Sequence, residues 1–197
     1  YTFKADVTDK AGNPATDSDI TLATDLTSPA IDIRSIAGES QNPMDSDANG
    51  YATININDKA TGFAVSGITT GVENGQLVTV TVYDGETLVT TLSPVAVSGN
   101  SWSASVPAGA GWITDGVVYT FKADVTDQAG NPATDSDSTL ETDLTSPAID
   151  IRSIAGESQS PLDSDANGYA TININDKATG FAVSGITTGV EDGQMVT

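Results

Sequence analysis

The chain repeats itself at the length of a whole domain. The segment Tyr1–Asp6 (YTFKAD) recurs as Tyr119–Asp124, so the period is 118 residues. Residues 1–79 align with residues 119–197 without a gap and differ at seven positions. Solenoid proteins repeat every 20–45 residues or so, roughly a third of this length. The longer unit therefore indicates a tandem array of domains, of which the chain holds one period and part of a second.

Short alternating runs predict strands throughout the period. Residues 101–106 and 119–125 alternate between apolar and polar side chains, which is typical of strands with one buried face. Further predicted strands are 31–36, 53–57, 63–68, 77–83, 88–97 and 134–142, and no segment has a sustained helical period. About seven short antiparallel strands in each period predict an all-β fold of tandem immunoglobulin-like β-sandwich domains, here without the disulfide because the chain has no Cys.

Proline-containing linkers set the predicted domain borders. The segment Thr24–Pro29 (TDLTSP) and its copy Thr142–Pro147 read as linkers, because Pro cannot donate to a central ladder. Residues 29–143 then form a complete repeat. Residues 1–25 are the C-terminal fragment of a preceding repeat, and residues 147–197 are the N-terminal fragment of a following one. A lone hairpin is marginally stable, so we hypothesise that the terminal pieces of neighbouring molecules complement each other head to tail.

The charge balance excludes several classes of function. The chain carries 27 Asp and Glu against 7 Lys and Arg, with no His, for a net charge of −20. So few cationic side chains cannot bind nucleic acid or an anionic membrane surface. No apolar run approaches the roughly 20 residues of a membrane helix. The absence of His and Cys removes Ser-His-Asp, Cys-His and the usual zinc chemistries. Carboxylate and backbone oxygens remain, and these suit calcium.

The loop Asp45–Gly50 (DSDANG), repeated as Asp163–Gly168, is the sharpest local signal. Oxygen-bearing side chains at alternate positions, closed by a Gly, match the opening of a calcium loop. An EF-hand would place Glu at the twelfth position, where this chain has Ile56, so we expect a calcium-type loop on a β scaffold. A polar turn is the alternative. The candidate ligands are Asp45, Asp47, Asn49 and the more distant Asp58, with Asp163, Asp165, Asn167 and Asp176 in the second copy.

A second acidic cluster lies in the turn between the last two predicted strands, at residues 124–132 (DVTDQAGNP). In an immunoglobulin-type sandwich this turn shares an end with the loop 71–75 (GVENG), and the linker with Asp25 reaches the same end. Singly, each segment reads as a solubilising turn. Their convergence predicts a bridging calcium between consecutive domains. The candidate ligands at such junctions are Asp6, Asp9, Asp25, Glu73, Asp124, Asp127, Asp143, Glu191 and Asp192.

The last predicted strand carries an acidic stripe, since Asp135, Asp137, Glu141 and Asp143 alternate onto one face. Like charges about 7 Å apart repel by about 2 kcal/mol before screening. We therefore expect a solvated face, with Asp143 set apart by its place in the linker.

The tryptophans and paired carboxylates invite two other interpretations, a sugar-binding surface and a glycosidase. Trp102 lies on an alternating apolar face, which favours core packing, and Trp112 leads into a strand whose first residue, Tyr119, is placed for a tyrosine corner. Near-identical consecutive copies without cleft-building insertions predict that the chain is not an enzyme.

Three segments together resemble the bacterial immunoglobulin-like repeats of giant RTX (repeats-in-toxin) adhesins. They are Ala123–Thr134 (ADVTDQAGNPAT), Asp143–Pro147 (DLTSP) and Val65–Gln76 (VSGITTGVENGQ). The resemblance implies type I secretion, retention on the surface of Gram-negative bacteria, and arrays of domains that hold adhesive tips away from the cell. It also implies calcium ions that rigidify the domain junctions through Asp25, Glu73, Asp124, Asp127 and Asp143. The loop Asp45–Gly50 is more elaborate than in common relatives.

The sequence thus predicts a calcium-rigidified spacer that acts with adjacent identical repeats in cell attachment and biofilm formation. One alternative is an adhesive domain that recognises a glycan or a surface protein. Another is that the acidity serves only solubility, with no metal.

Overall fold

Alternating apolar side chains build a two-sheet sandwich between residues 30 and 138 in a computed structural model of the chain. The structure describes residues 1–21, 24–40, 52–158 and 171–197. These residues divide into two units, Tyr1–Asp143 and Leu144–Thr197, which are described separately below.

Strands dominate the described elements. In chain order these are β1 (Thr2–Thr8), β2 (Pro14–Ile20), β3 (Ala30–Ile36), β4 (Glu39–Ser40), α1 (Ile56–Thr61), β5 (Phe63–Thr70), β6 (Leu77–Asp84), β7 (Thr87–Thr91), β8 (Val95–Ala96), β9 (Ser101–Val106), β10 (Tyr119–Thr126), β11 (Pro132–Ser138), β12 (Ala148–Ile154), β13 (Glu157–Ser158), α2 (Ile174–Thr179) and β14 (Val183–Thr188).

Two antiparallel sheets form the sandwich. One has the strand order β4-β3-β5-β9, and the other has the order β11-β10-β6-β7 with β8 beside β6. The rings of Phe63 on β5 and Phe121 on β10 meet across the sandwich edge to face, with their centroids 6.4 Å apart. This arrangement confirms the predicted all-β, immunoglobulin-like fold.

The core follows the alternation in the sequence. On β10 the side chains of Tyr119, Phe121, Ala123 and Val125 are buried, while the residues between them are partly exposed. On β9 the buried residue is every second one, beginning at Trp102. The predicted core position of Trp102 is thereby confirmed, and this side chain is only 3% exposed.

Tyr119 ties β10 to the segment that precedes it. Its hydroxyl donates to the carbonyl oxygen of Trp112 at 2.6 Å and accepts from the backbone N–H of Thr114 at 3.0 Å. The Trp112 and Tyr119 rings also pack edge to face at 5.2 Å. These contacts form the tyrosine corner that the sequence predicts at this point.

A short helix replaces one predicted strand. Residues 53–57 are predicted as a strand, but α1 begins at Ile56. The Asn55 side chain accepts from the backbone N–H groups of Asn57 and Asp58, and Asp58 accepts from the Asn55 N–H at 2.9 Å. This capping box fixes the start of the helix. Alternation of Ile54 and Ile56 imitates a strand, although only Ile54 is buried.

Two other predicted strands differ in the structure, since one is divided and the other ends early. The predicted strand 88–97 is divided into β7 and β8 around Pro94, which has no N–H for a ladder. The predicted strand 134–142 ends as a regular strand at Ser138. After it, Leu140 and Asp143 donate to the carbonyl oxygens of Ala52 and Ile54 at 2.9 and 3.1 Å. The segment that leaves the sandwich is therefore bonded to the chain just before α1.

The N-terminal hairpin repeats the last hairpin of the sandwich. β1 and β2 pair in the same register as β10 and β11, so that Phe3 faces Asp19 as Phe121 faces Asp137. All described side chains of the hairpin are exposed.

The second unit repeats the first part of the sandwich. β12 pairs with both β13 and β14, and α2 carries the capping box of α1 on Asn173 and Asp176. Both described helices have six residues. Within the ranges that the structure describes, no helix is long and apolar enough to cross a membrane.

Gly67 lies on the central strand β5 at a point where the neighbouring strands leave no room for a side chain. It pairs with Ile33 on one side and with Trp102 on the other. A Cβ at this position would lie 1.9 Å from the carbonyl oxygen of Asp32 and 2.8 Å from Cζ2 of Trp102. Backbone atoms cannot yield as a flexible side chain can, so only Gly fits here.

We expect Gly67→Ala to destabilise the sandwich by at least about 2 kcal/mol, since the sheet must open to admit the methyl group. The matched control is Gly111→Ala, because nothing lies within 4 Å of a Cβ built at Gly111. Its effect should stay within about 0.5 kcal/mol. Both are measured by urea unfolding followed by tryptophan fluorescence, and equal midpoints for the two variants would contradict the close approach.

Candidate metal centre

Three segments meet at one end of the sandwich, as the immunoglobulin topology predicts. They are the linker 24–28, the loop 71–75 and the turn 127–131. The backbone N–H of Gln128 donates to Oε2 of Glu73 at 2.8 Å, which joins the turn to the loop. The Asn131 side-chain nitrogen lies 3.4 Å from the carbonyl oxygen of Asp25 and 3.5 Å from that of Thr27, which brings the linker to the same place.

Asp127 is the buried carboxylate of this end. It is 2% exposed, and both of its oxygens accept hydrogen bonds from Asn131. The Asn131 side-chain nitrogen donates to Oδ2 at 2.7 Å, and the Asn131 backbone N–H donates to Oδ1 at 2.8 Å. These bonds, the side-chain bond first, hold the pKa of Asp127 below its usual value. The carboxylate is therefore ionised at neutral pH.

Asn131 is a central residue of this junction that the ligand prediction missed. Its amide orders Asp127 and faces the linker carbonyl groups at the same time. The signal in the sequence is an Asp followed four residues later by an Asn, and it occurs in both copies. In the N-terminal hairpin, Asn13 donates to Asp9 through its backbone and its side chain, both at 2.8 Å, and the side-chain bond is the main reason that the pKa of Asp9 is lowered.

Asp124 and Asp6 lie on strands and bind lysines. Both oxygens of Asp124 accept from Nζ of Lys122 at 2.8 Å, which raises the pKa of that lysine. Oδ1 of Asp6 pairs with Nζ of Lys4 at 2.9 Å, and the pKa of Asp6 is lowered by hydrogen bonds from Thr16 and then Lys4. The structure thus engages these two predicted ligands in ion pairs along their own strands.

The remaining predicted ligands are placed as follows. Asp25 accepts from the backbone N–H of Thr27 at 2.9 Å. Asp58 and Asp176 cap the two helices. Asp143 is exposed, and its backbone N–H is bonded to Ile54. Glu191 and Asp192 are exposed in the second unit, after β14. Asp45, Asp47, Asn49, Asp163, Asp165 and Asn167 lie outside the described residues.

The donor set at the junction has the chemistry of a calcium site. Carboxylate and carbonyl oxygens are the ligands that Ca²⁺ takes. In the described ranges, however, no group of three or more acidic side chains lies close enough to hold a metal ion. A complete coordination sphere at this end would therefore include main-chain carbonyl groups, such as those of Asp25 and Thr27, that the Asn131 amide now faces.

The acidic stripe is not a solvated face along its whole length. Asp135 and Asp137 pair with Ala123 and Phe121, so they lie on the inward side of the edge strand β11. Oδ2 of Asp135 accepts from the backbone N–H of Ile33 at 2.7 Å, which ties β11 to β3. The expectation of full solvation is wrong for these two residues, whereas Glu141 and Asp143 are exposed. The alternation in the sequence shows that the acidic residues share one face of β11, but it does not show that this face points toward the second sheet.

Asp137 has an unusual environment within this stripe. Its Oδ2 is buried without a hydrogen-bond partner among the described residues. Burial first, and then the carboxylates of Asp135 and Asp32, raise the pKa of Asp137 to about 6. The charged form of Asp137 therefore disfavours the folded state.

The comparisons with known proteins agree with the fold. The sequence profile of the bacterial Ig-like domain matches residues 1–25 and 39–143. No curated protein sequence is significantly similar to the chain.

Among solved structures, the chain is similar to a tetra-tandem repeat in the extending region of a large adhesion protein (21% identity, 96% of this chain and 39% of that one, TM-score 0.41). It is similar to a Ca²⁺-stabilized adhesin with which an Antarctic bacterium reaches out and binds ice (26%, 95% and 40%, TM-score 0.39). It is also similar to a bacterial immunoglobulin-like domain of the M. primoryensis ice-binding adhesin (24%, 59% and 95%, TM-score 0.32). The chain spans about two fifths of the first two structures.

Asn131→Ala removes the side-chain donor to the buried Asp127, and we expect the melting temperature of the sandwich to fall by about 5 °C at pH 7. Because the folded pKa of Asp127 is lowered, its contribution is complete above the unfolded value of about 3.9 and is lost as the pH falls through the folded pKa. The difference from the wild type should therefore shrink in acid. The control is Asn13→Ala, which removes the equivalent bond from the exposed hairpin and should leave the melting of the sandwich unchanged.

Asp137→Asn tests the raised pKa of this side chain. In the wild type, the folded state holds the Asp137 proton up to a pH of about 6 and the unfolded state only to about 3.9, so this group stabilises the fold as the pH falls from 8 to 5. We expect the variant to lose that dependence and to be more stable at pH 8, by about 1 kcal/mol or less because water still reaches part of the group. Urea unfolding across this pH range measures it. Asp19→Asn, at the exposed equivalent position, should not change the dependence.

Proposed function

The chain belongs to the bacterial Ig-like domain family, and from this premise we propose that it is a structural spacer of a bacterial cell-surface adhesin. In this proposal the repeats act without catalysis and project adhesive domains away from the cell for attachment and biofilm formation. The observation that carries the proposal is the near-identity of the two copies, which differ at seven of 79 aligned positions. Specific recognition needs one differentiated surface, whereas reach needs many equal units.

The sandwich suits a spacer because the segments by which the chain enters and leaves it are both held by hydrogen bonds. The linker 24–28 contacts the turn after β10, and the segment 139–143 is bonded to residues 52 and 54 and to Val117. Both connections are short and held by hydrogen bonds at the domain. A domain built in this way adds a defined length to an array, which a flexible linker of the same mass would not.

We further propose that calcium ions order the junctions. A bound Ca²⁺ supplies a positive charge that several oxygen ligands share, and its binding free energy is added to the stability of the ordered junction. In this chain Asp25, Glu73 and Asp127 would contribute at the junction; Asp143 and Glu191 are the repeat copies of Asp25 and Glu73, and Asp192 follows Glu191. Asp45, Asp47 and Asn49, and their copies Asp163, Asp165 and Asn167, would hold a separate ion.

The proposal is supported by the donor chemistry at the junction and by the charge of −20. Glu73 and Asp127 already contact the same turn, and the linker carbonyl groups face Asn131. Without a cation, the acidic loops repel each other within a Debye length of about 8–10 Å. Placement outside the cell, through type I secretion, is part of the same proposal and follows from the resemblance of the three sequence segments.

Chelation should shorten and destabilise the particle. We expect a smaller maximum dimension in small-angle scattering in EDTA than in about 5 mM calcium, a range that saturates extracellular sites with dissociation constants of about 10⁻⁴–10⁻³ M. The melting temperature should fall as well. Magnesium at equal ionic strength controls for screening, and Glu73→Gln with Asp25→Asn should reduce the response to calcium. An unchanged maximum dimension in calcium and EDTA would refute the calcium-ordered spacer.

A further inference from the structure

One flank of the sandwich is built from a segment without charge. None of the 27 acidic and 7 basic residues of the chain lies between residues 87 and 114, the segment that contains β7, β8 and β9. β7 is the edge of one sheet, and β9 is the edge of the other. These edges share a flank, because the opposite edge β11 is bonded to β3 through Ile33 and Asp135. A second molecule of charge −20 is therefore repelled less along this flank than along β11.

The edge strand β9 also lacks the features that usually prevent pairing. Such features are short length, bulges, Pro and inward charges. β4 has two residues, β7 has a bulge against β6, and β11 carries Asp135 and Asp137 on its inward side. β9 (SWSASV) has six residues without Pro or charge, and its register with β5 is uninterrupted. Among the described edges of the sandwich, β9 is thus the one suited to accept another strand.

The hydrogen bonds around the start of β9 show which of its backbone groups point away from β5. The backbone N–H of Thr69 donates to the carbonyl oxygen of Asn100 at 2.9 Å, so Asn100 faces β5. Ser101 faces the other way, and it exchanges two backbone hydrogen bonds with Ser98, at 2.9 and 3.1 Å. Because the direction alternates along a strand, Ser103 and Ser105 also direct their N–H and C=O groups away from β5.

The strand that begins to cover this edge then leaves it. Before Ser98 the chain turns to the other sheet, where the N–H of Val97 donates to the carbonyl oxygen of Gln76 at 2.8 Å and β8 pairs with β6. No described strand lies beside Ser103 and Ser105 on the outer side of β9. Both serines are exposed, while Trp102, Ala104 and Val106 between and beside them are buried.

We propose that β9 pairs in antiparallel orientation with β9 of a second copy of the chain, about a two-fold axis at Ala104. Ser103 of each copy then lies opposite Ser105 of the other, and both pairs exchange two backbone hydrogen bonds. An axis at Ser103 would leave a single such pair, because Ser105 would face Ser101, whose backbone groups are already bonded. The partner is a second copy because this uncharged edge is complementary to itself.

The two-fold axis determines the geometry of the assembly. It places the serine side chains of both copies on one outer face, where they are cross-strand neighbours. The interface is isologous, so the assembly closes as a dimer. One pair of short edges buries far less than the roughly 1,200–2,000 Å² of a standard interface, so we expect a dissociation constant of about 1 mM. Salt should strengthen the dimer, because it screens the repulsion between two molecules of charge −20.

The antiparallel contact has a consequence for repeated domains. β11 starts beside the turn 127–131, which the entry linker contacts, and it ends where the exit segment 139–143 begins. The strands thus run from the entry of the sandwich toward its exit, and the two sandwiches of the dimer run in opposite directions. If the repeats are spacers, arrays joined through β9 are those that extend toward each other, as from two facing cells, and many weak contacts add up. The dimer itself requires neither calcium nor the spacer function.

Single cysteines test the register, since the chain has no Cys of its own. Ser103→Cys and Ser105→Cys, one of them isotopically labelled, are mixed in equal amounts and oxidised in EDTA. Opposite residues of a hydrogen-bonded pair have Cα atoms about 5.5 Å apart, which suits a disulfide. By mass spectrometry we expect the mixed disulfide to exceed each of the two homodimers by at least about tenfold. Random collision would give a twofold excess, and parallel pairing would favour the homodimers; either result overturns the proposal. Ser136→Cys, exposed on β11, is the control and should give few dimers.

Sedimentation equilibrium of the full chain tests the association itself. The weight-average mass of the wild type should rise with concentration toward that of a dimer and no further. Ser103→Asp puts a carboxylate at each of the two Ser103–Ser105 pairs and should keep the chain monomeric. Ser136→Asp has the same net charge and should associate like the wild type. Equal melting temperatures of the two variants check that the sandwich stays folded. A wild type that is monomeric up to about 2 mM contradicts the dimer, and so does a Ser103→Asp variant that associates as the wild type does.

Discussion

The inward face of β10 can be buried only by the strands that lie across from it, and the rest of the molecule depends on this constraint. Tyr119, Phe121, Ala123 and Val125 are covered because residues 30–106 supply the opposite sheet and β6, the strand beside β10. Among the described residues, Tyr1, Phe3 and Val7 at the same positions of β1 are exposed. Identical sequences thus reach opposite burial, and the difference comes entirely from what the surrounding chain supplies.

The edge strand β11 carries acidic residues on its inward face, and these residues limit its association with other sheets. Its inward positions carry Asp135 and Asp137 where a central strand would carry Val or Phe. Inward-pointing charges on an edge strand discourage further pairing with another sheet. Asp135 also gains a backbone donor on β3, so the charge that protects the edge helps to join the two sheets. Asp137 has no such partner in the described part of the chain, and its ionised form opposes folding.

Much of the fold could be predicted from the sequence, because period-two alternation marks a strand and its buried face in residues such as Phe121 and Trp102. Alternation could not predict α1, since six residues are too short to show a helical period and Ile54 and Ile56 imitate a strand. The capping pair Asn55 and Asp58 was the available signal. The inward side of Asp135 was also beyond the pattern, because alternation groups residues on a face without saying which face meets the second sheet.

The junction could be predicted to the level of segments but not of atoms. Topology brings the linker, the loop and the turn together, and Glu73 does reach the backbone of Gln128. The role of Asn131 depends on the side-chain rotamer that lets its amide contact both Asp127 and the linker. The spacing of residues in the sequence does not predict a rotamer. Asp124 shows the converse, because its carboxylate pairs with Lys122, two residues away on the same strand.

The segment after β11 is joined to the sandwich by backbone hydrogen bonds. Asp143 lies beside Asn55 in a parallel bridge, and Leu140, Thr142 and Asp143 donate to Ala52, Val117 and Ile54. Because the bridge is parallel, a pull along this segment would load these hydrogen bonds in shear. Bonds loaded in shear must break together, whereas bonds loaded at the end of a hairpin open one after another. Tension applied to this segment would thus be met by several backbone hydrogen bonds at once.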